Sequence, residues 1–323
     1  MSSKFYSVRS PYKKGYLDVG DGHTIYFHCY GNKNATPVLY LHGGPGAGTK
    51  RKDARYFNPR LYNVILFDQR GAGKSRPFAS LKNNTTRELV SDINKLLDHL
   101  GIKKVFLFGG SWGSTLALVY AIQNKKRVTG MLLRGIFLSN PEEKKEFFGP
   151  KGLSARLFPD AWERFSSHVP KGLRKNPVRL TEYYLNKMKS NNKKVSNKYK
   201  LEWTMYEISM MKLVVTRKDV DEFIKDGVYK SLAPIEAAYY GGRNYCFLPH
   251  NFIEKNAAKL SGIPVVIVHG RYDAICMPAS AFKLHKLIRG SKLYFVISGH
   301  GSSDQAMALK LKEEMDKFAK TRK

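Results

Sequence analysis

Ser111 stands in Gly109-Gly110-Ser111-Trp112-Gly113, between KKVFLF, which is apolar and β-prone, and TLALVYAI, which is apolar with helical character. G-x-S-x-G at a strand-to-helix junction is the setting of a nucleophile elbow. That turn is strained and crowded, so small residues are needed two positions either side of the serine. The following helix aims its free N–H groups at the site, where they favour developing negative charge. A serine alone is a poor nucleophile; it needs a base, and the base needs a carboxylate to orient it. For a serine on such an elbow the chain order is Ser, then Asp or Glu, then His. Two late runs supply that order: IPVVIVHGRYD ends in Asp273, and LYFVISGH ends in His300. Both residues fall just past apolar strand-like stretches, where open α/β sheets build their sites. The other histidines fit less well. His23, His28, His42 and His99 precede the serine, His168 and His250 fall in the central region, His269 is inside a strand-like run, and His285 reads as helical. Asp304, four residues past His300, is a rival acid. Acyl transfer also needs donors for an oxyanion. LHGGPG follows an early strand-like run, where the second donor belongs, and the backbone N–H groups of Gly44 and Trp112 are the candidates. Each fragment alone reads as an ordinary turn; three such residue types in order at three strand ends do not.

One motif points elsewhere. DQRGAGKS ends like a phosphate-binding loop, but that pattern requires glycine where Asp68 stands. A carboxylate there would repel phosphate, so the segment reads as a structural turn. No His/Cys cluster has metal-ligand spacing, and no cofactor is expected. Cys29, Cys246 and Cys276 are widely separated and odd in number, forming neither a CxxC pair nor a disulfide framework.

The elements that must position these residues follow from periodicity. TIYFHCY, PVLYLHGGPG, YNVILFDQRG, KKVFLFGG, VTGMLLRGIF, IPVVIVHGRYD and SKLYFVISGHG read as strands. TTRELVSDINKLLDHLG, STLALVYAIQN and the closing QAMALKLKEEMDKFAKTRK read as helices. Short buried strands alternating with helices imply a mainly parallel, doubly wound sheet covered on both faces. Between them PDAWERFSSHV, VRLTEYYLNKMKS and KLEWTMYEISMMKLVV look helical, with the lysine-rich SNNKKVSNKYK as a connector. The simplest organisation is one α/β domain, residues 1–138 and 256–323, interrupted by a helical cap at 139–255.

The chain has 323 residues, 42% of them hydrophobic and 12% aromatic, enough for a sizeable core. No apolar run approaches bilayer length, and the N-terminus carries no apolar signal-like region; a cytoplasmic, reducing setting is expected. The charge is unusual: 56 Lys+Arg against 26 Asp+Glu gives +30. Such charge can attract nucleic acid or anionic membrane. Here the lysines are scattered, and no nucleic-acid-binding motif accompanies them, so a solvated surface is the expected reading.

LHGGPGAGT, LFDQRGAGKSRP, NTTRELVSDINKLLDHLGI, GGSWGSTLAL, VIVHGRYDAIC and SGH together resemble the proline iminopeptidases, or prolyl aminopeptidases, of the α/β-hydrolase fold. The likeness runs from about residue 12 to the end and is looser in the cap. It implies a serine peptidase, without metal or cofactor, that takes peptides with a free N-terminal proline. It implies Ser111, Asp273 and His300 as the triad, with Gly44 and Trp112 as oxyanion donors. It further implies two cap glutamates that bind the substrate's amine: Glu207, in EWTMYE, and Glu236, in PIEAAYY. A buried cationic amine needs paired carboxylates, because an unpaired buried charge is costly. RGIF places Phe137 where the family lines its proline pocket, whereas EFFGPKG departs from the tyrosine expected next. Two rivals stand beside this expectation: a general esterase or amidase with the same triad, and a basic nucleic-acid-binding protein on a hydrolase scaffold.

Overall fold

A computed structural model describes residues 5–241 and 245–320. Eight strands form one sheet: β1 (Lys13–Gly20), β2 (His23–Gly31), β3 (Thr36–Leu41), β4 (Tyr62–Phe67), β5 (Val105–Ser111), β6 (Val128–Ile136), β7 (Val265–Gly270) and β8 (Lys292–Val296). Their order is β1-β2-β4-β3-β5-β6-β7-β8. β1/β2 and β2/β4 are antiparallel, and every pairing from β4 to β8 is parallel. The sequence accounts for this order. YNVILF and VFLFGGS are buried at every position, as strands covered on both faces must be. β1, KKGYLDVG, is largely exposed at the edge, and its polar, glycine-containing sequence gave no strand signal.

The two faces are filled separately. Along β5, Val105 and Leu107 join one apolar cluster and Phe106 and Phe108 the other, as the alternation of side chains requires. The first cluster takes α1 (Thr86–His99) and α2 (Trp112–Gln123). In α1, Leu89, Val90, Ile93, Leu96 and Leu97 recur at helical spacing and are buried. A Thr85/Glu88 capping box opens that helix, and Gly101, at φ +67°, follows its end. The second cluster takes Met307, Leu311 and Met315 of the last helix, α12 (Gln305–Lys320). Each such Leu or Met contributes about 1.5–3 kcal/mol when fully buried.

Between β6 and β7 the chain forms α3 (Pro141–Phe148), α4 (Leu153–Leu157), α5 (Pro159–Ser167), α6 (Pro177–Met188), α7 (Lys193–Ile208), α8 (Arg217–Lys225), α9 (Tyr229–Tyr240) and α10 (Phe252–Asn256); α11 (Pro278–Leu287) joins β7 to β8. An aromatic stack binds these helices together, with Phe165 against Tyr184 at 4.5 Å and Tyr206 at 4.4 Å between ring centres. The helices sit over the C-terminal strand ends. Tyr240 Oη donates to Gly44 O at 2.6 Å, Ser231 Oγ to Gly46 O at 3.0 Å, and Ser154 Oγ to Ala274 O at 2.7 Å.

One stretch differs from the sequence expectation. The lysine-rich SNNKKVSNKYK is mostly helix, not connector: Asn192 caps α7 by accepting from Lys194 N and Val195 N, and lysine is a good helix former. α7 then stops at Ile208, and Met211 O instead accepts from Gly301 N in the loop after β8. Among the described residues, no helix is long and apolar enough to cross a membrane.

Candidate active site

β5 ends in Ser111 and α2 begins at Trp112, so the serine occupies the junction itself. Its backbone lies at φ 57°, ψ −130°, a conformation costly for any residue with a side chain. The crowding is severe: a Cβ on Gly109 would sit 2.2 Å from Gly113 O, and one on Gly113 would sit 2.0 Å from Leu41 O. Hence both flanking positions are glycine. Ser111 is 8% exposed, beneath the cap helices.

Asp273 and His300 come from the loops after β7 and β8. His300 Nδ1 donates to Asp273 Oδ2 at 2.8 Å, which leaves Nε2 as the ring's acceptor. The other carboxylate oxygen, Oδ1, accepts from Ile275 N at 3.0 Å and Cys276 N at 2.8 Å. Burial opposes ionisation of Asp273. The charge and hydrogen bond of His300, with His269 and the Cys276 amide, outweigh it and hold the carboxyl below its ordinary value. Asp304, the rival acid, is turned away: its Oδ2 accepts from Gly299 N at 2.9 Å and Ser298 Oγ at 3.1 Å, bracing the histidine loop. His269 accepts from Ile136 N through Nδ1 and donates from Nε2 to Cys276 O, a buried structural histidine. Among the described residues, no hydrogen bond joins Ser111 to His300; such bonds are often long before substrate binds.

The HGGPG turn lies beside the serine. A Cβ on Gly43 would touch Ser111 Cβ at 3.3 Å, and Gly44 adopts φ +105° with Leu232 close against it. DQRG holds this turn in place. Gln69 N donates to His42 Nε2 at 3.0 Å, so His42 carries its proton on Nδ1 and donates it to Gly43 O at 2.9 Å. Gln69 Nε2 donates to His42 O at 3.0 Å, while Trp112 Nε1 donates to Gln69 Oε1 at 2.9 Å. One glutamine therefore ties together the two segments that carry Gly44 and Trp112. Asp68 accepts from Thr49 N at 2.7 Å and Lys74 N at 2.8 Å, filling the turn that mimics a phosphate loop. Arg70 forms a two-pronged pair with Asp92 of α1 at 2.7 and 2.8 Å, buried on both sides.

Above Ser111 a small, tightly closed cavity is walled by Phe137, Phe147, Phe148, Tyr240 and Tyr245 and closed by Glu207 and Glu236. Glu207 and Glu236 are 8% and 2% exposed and interact with each other; Trp203 Nε1 donates to Glu236 Oε2 at 2.8 Å. Burial, and then the charge of Glu207, pushes Glu236 well above the carboxylate range. Burial also raises Glu207, against the influence of His300, Glu236 and Arg134. Both shifts favour a proton shared by the pair until a cation arrives.

The sheet order, the strand–elbow–helix serine and the helices over the strand ends define an α/β hydrolase, and the alpha/beta hydrolase fold model matches residues 36–306. The chain belongs to the proline iminopeptidase family. It is 38% identical to the proline iminopeptidase of Arabidopsis thaliana over 95% of this chain and 80% of that one. It is 38% identical to that of Xanthomonas citri over 97% and 99%, and 36% identical to that of Neisseria gonorrhoeae over 94% and 95%. Among solved structures, an esterase from Exiguobacterium antarcticum shares the fold with a TM-score of 0.65 at 20% identity, over 94% of this chain and 98% of that one.

The structure brings Ser111, Glu207, Glu236 and Phe137 to one cavity and pairs Asp273 with His300. It also adds residues that the sequence reading passed over. Gln69 lay inside a motif read only as a turn. Phe147 and Phe148 supply the aromatic wall at EFFGPKG, the point of departure from the family. Glu143, a further carboxylate at the cavity, accepts from Leu138 N, Asn140 N and Ser280 Oγ; burial pushes it up to about 7. Among the described residues, no group of three or more His, Cys, Asp or Glu could hold a metal ion.

Proposed function

We propose that this protein is a serine aminopeptidase that releases proline from the N-terminus of peptides, with residues 139–255 as the cap that selects the substrate. The observation that carries this reading is the pair of buried carboxylates, Glu207 and Glu236, in the same aromatic-walled cavity as Ser111. A simple ester needs no such pair, because its acyl group bears no charge. A free prolyl amine does, and the aromatic walls suit an apolar ring.

The chemistry follows from the geometry. The pyrrolidine ring lies against Phe137, and the ammonium is held by Glu207 and Glu236. Ser111 Oγ attacks the prolyl carbonyl while His300 Nε2 takes its proton, and the N–H groups of Gly44 and Trp112 hold the oxyanion. His300 then protonates the departing amine, leaving a prolyl ester on Ser111. Water, deprotonated by the same nitrogen, hydrolyses that ester. Asp273 keeps the imidazole in the tautomer that leaves Nε2 basic. The three cysteines are free and buried, which suits the reducing cytoplasmic setting we assign.

The test is a panel of free aminoacyl amides, their N-blocked forms and small neutral esters, compared by kcat/KM. The reading expects free prolyl amides to lead. Equal or better turnover of N-blocked amides or esters would replace it with a general esterase or amidase.

A further inference from the structure

Ser111 and Glu207 also line a second, larger cavity, which shares these two residues with the aromatic pocket but is otherwise lined by different ones. If the first cavity takes the acyl group, this one takes the leaving fragment. Its walls are the HGGPG turn, the segment around Lys50–Asp53, Met211, and Phe223, Val228 and Leu232 of the cap. Three cations line it: Lys50, Lys52 and Arg134.

Arg134 is the most informative. It projects from β6 and packs so closely over the elbow that a Cβ on Gly110 would lie 2.3 Å from its Nε. Its Nη1 donates to His300 O at 2.8 Å. It is only partly exposed, and among the described residues it has no carboxylate within ion-pair distance. A half-buried guanidinium without a counter-ion is costly unless a ligand supplies one. Lys50 and Lys52 stand further out, at the mouth. Lys50 pairs there with Asp226 of the cap, a surface contact that readily exchanges. The cavity's own carboxylates offset only part of this charge: Asp53 lies in the field of Lys50 and Lys52, and Glu207 in that of Arg134, so three cations face two carboxylates.

We propose that this cavity is a carboxylate subsite for the leaving fragment. It favours short prolyl peptides whose free C-terminus reaches Arg134, Lys50 and Lys52. This inference rests on the aminopeptidase reading and deepens it by naming the substrate class. The shared chemistry is a carboxylate on the leaving fragment, supplied either by the chain end or by an acidic side chain.

The experiment measures kcat/KM for Pro-Gly-Gly and its C-terminal amide, and for Pro-Glu amide and Pro-Gln amide. At low ionic strength the free acid should exceed its amide about tenfold, the scale of two or three partly exposed ion pairs. The ratio should shrink at about 0.5 M salt, where screening is nearly complete over a few ångströms. In a Lys50→Gln/Lys52→Gln double variant, whose changes are on the surface, the ratio should fall towards that left by Arg134 alone. A matching preference for Pro-Glu amide over Pro-Gln amide means that the site reads charge; its absence means that it reads the chain end. Either supports the subsite. A wild-type ratio near or below one, or a ratio unchanged in the double variant, overturns it while leaving the aminopeptidase intact. Failure to cleave any of the four peptides overturns both.

Discussion

Glu207→Gln and Glu236→Gln should not be equivalent, although the two side chains share one pocket. Glu236, the more deeply buried of the two and lying in the field of Glu207, is expected to hold the pair's shared proton in the free enzyme. A glutamine at 236 therefore resembles what is already there. It still lets Glu207 neutralise the substrate's amine, and the main loss is one hydrogen bond, shared between Trp203 and the ligand. That loss is about 1–2 kcal/mol, or roughly tenfold in kcat/KM. A glutamine at 207 removes the carboxylate then expected to carry the pair's charge. Stranding a buried cation costs about 3–5 kcal/mol, a loss of roughly 10²–10³ or more. The assay is kcat/KM for free and N-blocked prolyl amides in wild type and both variants. The free substrate should show the asymmetry; the blocked one should be poor throughout and change little. Proton release on substrate binding, measured by calorimetry in buffers of different ionisation enthalpy, should be smaller in Glu236→Gln than in wild type. Equal losses on free and blocked substrates would refute amine recognition. A larger loss at 236 than at 207 would refute the assigned proton.

Gln69→Leu should lower kcat by about 10²-fold with little change in KM, because it removes the side-chain bonds to His42 O and Trp112 Nε1 that hold the segments of Gly44 and Trp112, the proposed oxyanion donors, without touching the acyl pocket; steady-state kinetics with a prolyl amide would show it. Asp92→Asn should destabilise the fold by about 3 kcal/mol, the lower end for breaking a buried pair, since Arg70 keeps Asp21 as a second partner; urea denaturation reads this out. Buried carboxyls and buried histidines pull the pH dependence of stability in opposite directions between about pH 5 and 7. Glu143, Glu207 and Glu236 have folded values raised above 4.5, so there the folded chain keeps protons that the unfolded chain has lost, whereas burial holds His28, His42 and His269 below 6.5, so there the unfolded chain binds protons that the folded chain does not. Glu236→Gln removes one carboxyl contribution, so its Tm relative to wild type should rise from pH 5 to 7, and a difference that falls over that range would contradict this.

The parts that local rules govern were legible. The buried runs of β4 and β5, the amphipathic α1 and the elbow at Ser111 are written in residue type and spacing alone. Asp273 and His300 were found because each follows an apolar strand. Other parts depend on contacts distant in sequence. Gln69 looks like any turn residue until His42 and Trp112 are seen on either side of it. Asp92 sits in an amphipathic helix as an apparently solvated acid, and only the fold brings Arg70 to it. α9 was obscured by Pro234, which argues against a helix interior, yet the helix runs through it because its flanking residues are buried against the HGGPG turn. The boundary of α7 was misread because Asn192 caps a lysine-rich segment, and because the residues after Ile208 are recruited by the loop of His300. Glu207 and Glu236, read alone, are two ordinary helix-face glutamates; family resemblance singled them out, and the fold brings them within reach of each other.

The most direct measurement is kcat/KM for a free prolyl amide in wild type and in Ser111→Ala, with thermal unfolding of both proteins as a control for folding. The account predicts turnover of the prolyl amide by the wild type, a drop of about 10⁶-fold in the variant, and closely similar melting curves. A well-folded Ser111→Ala protein that keeps a tenth of the activity would contradict it.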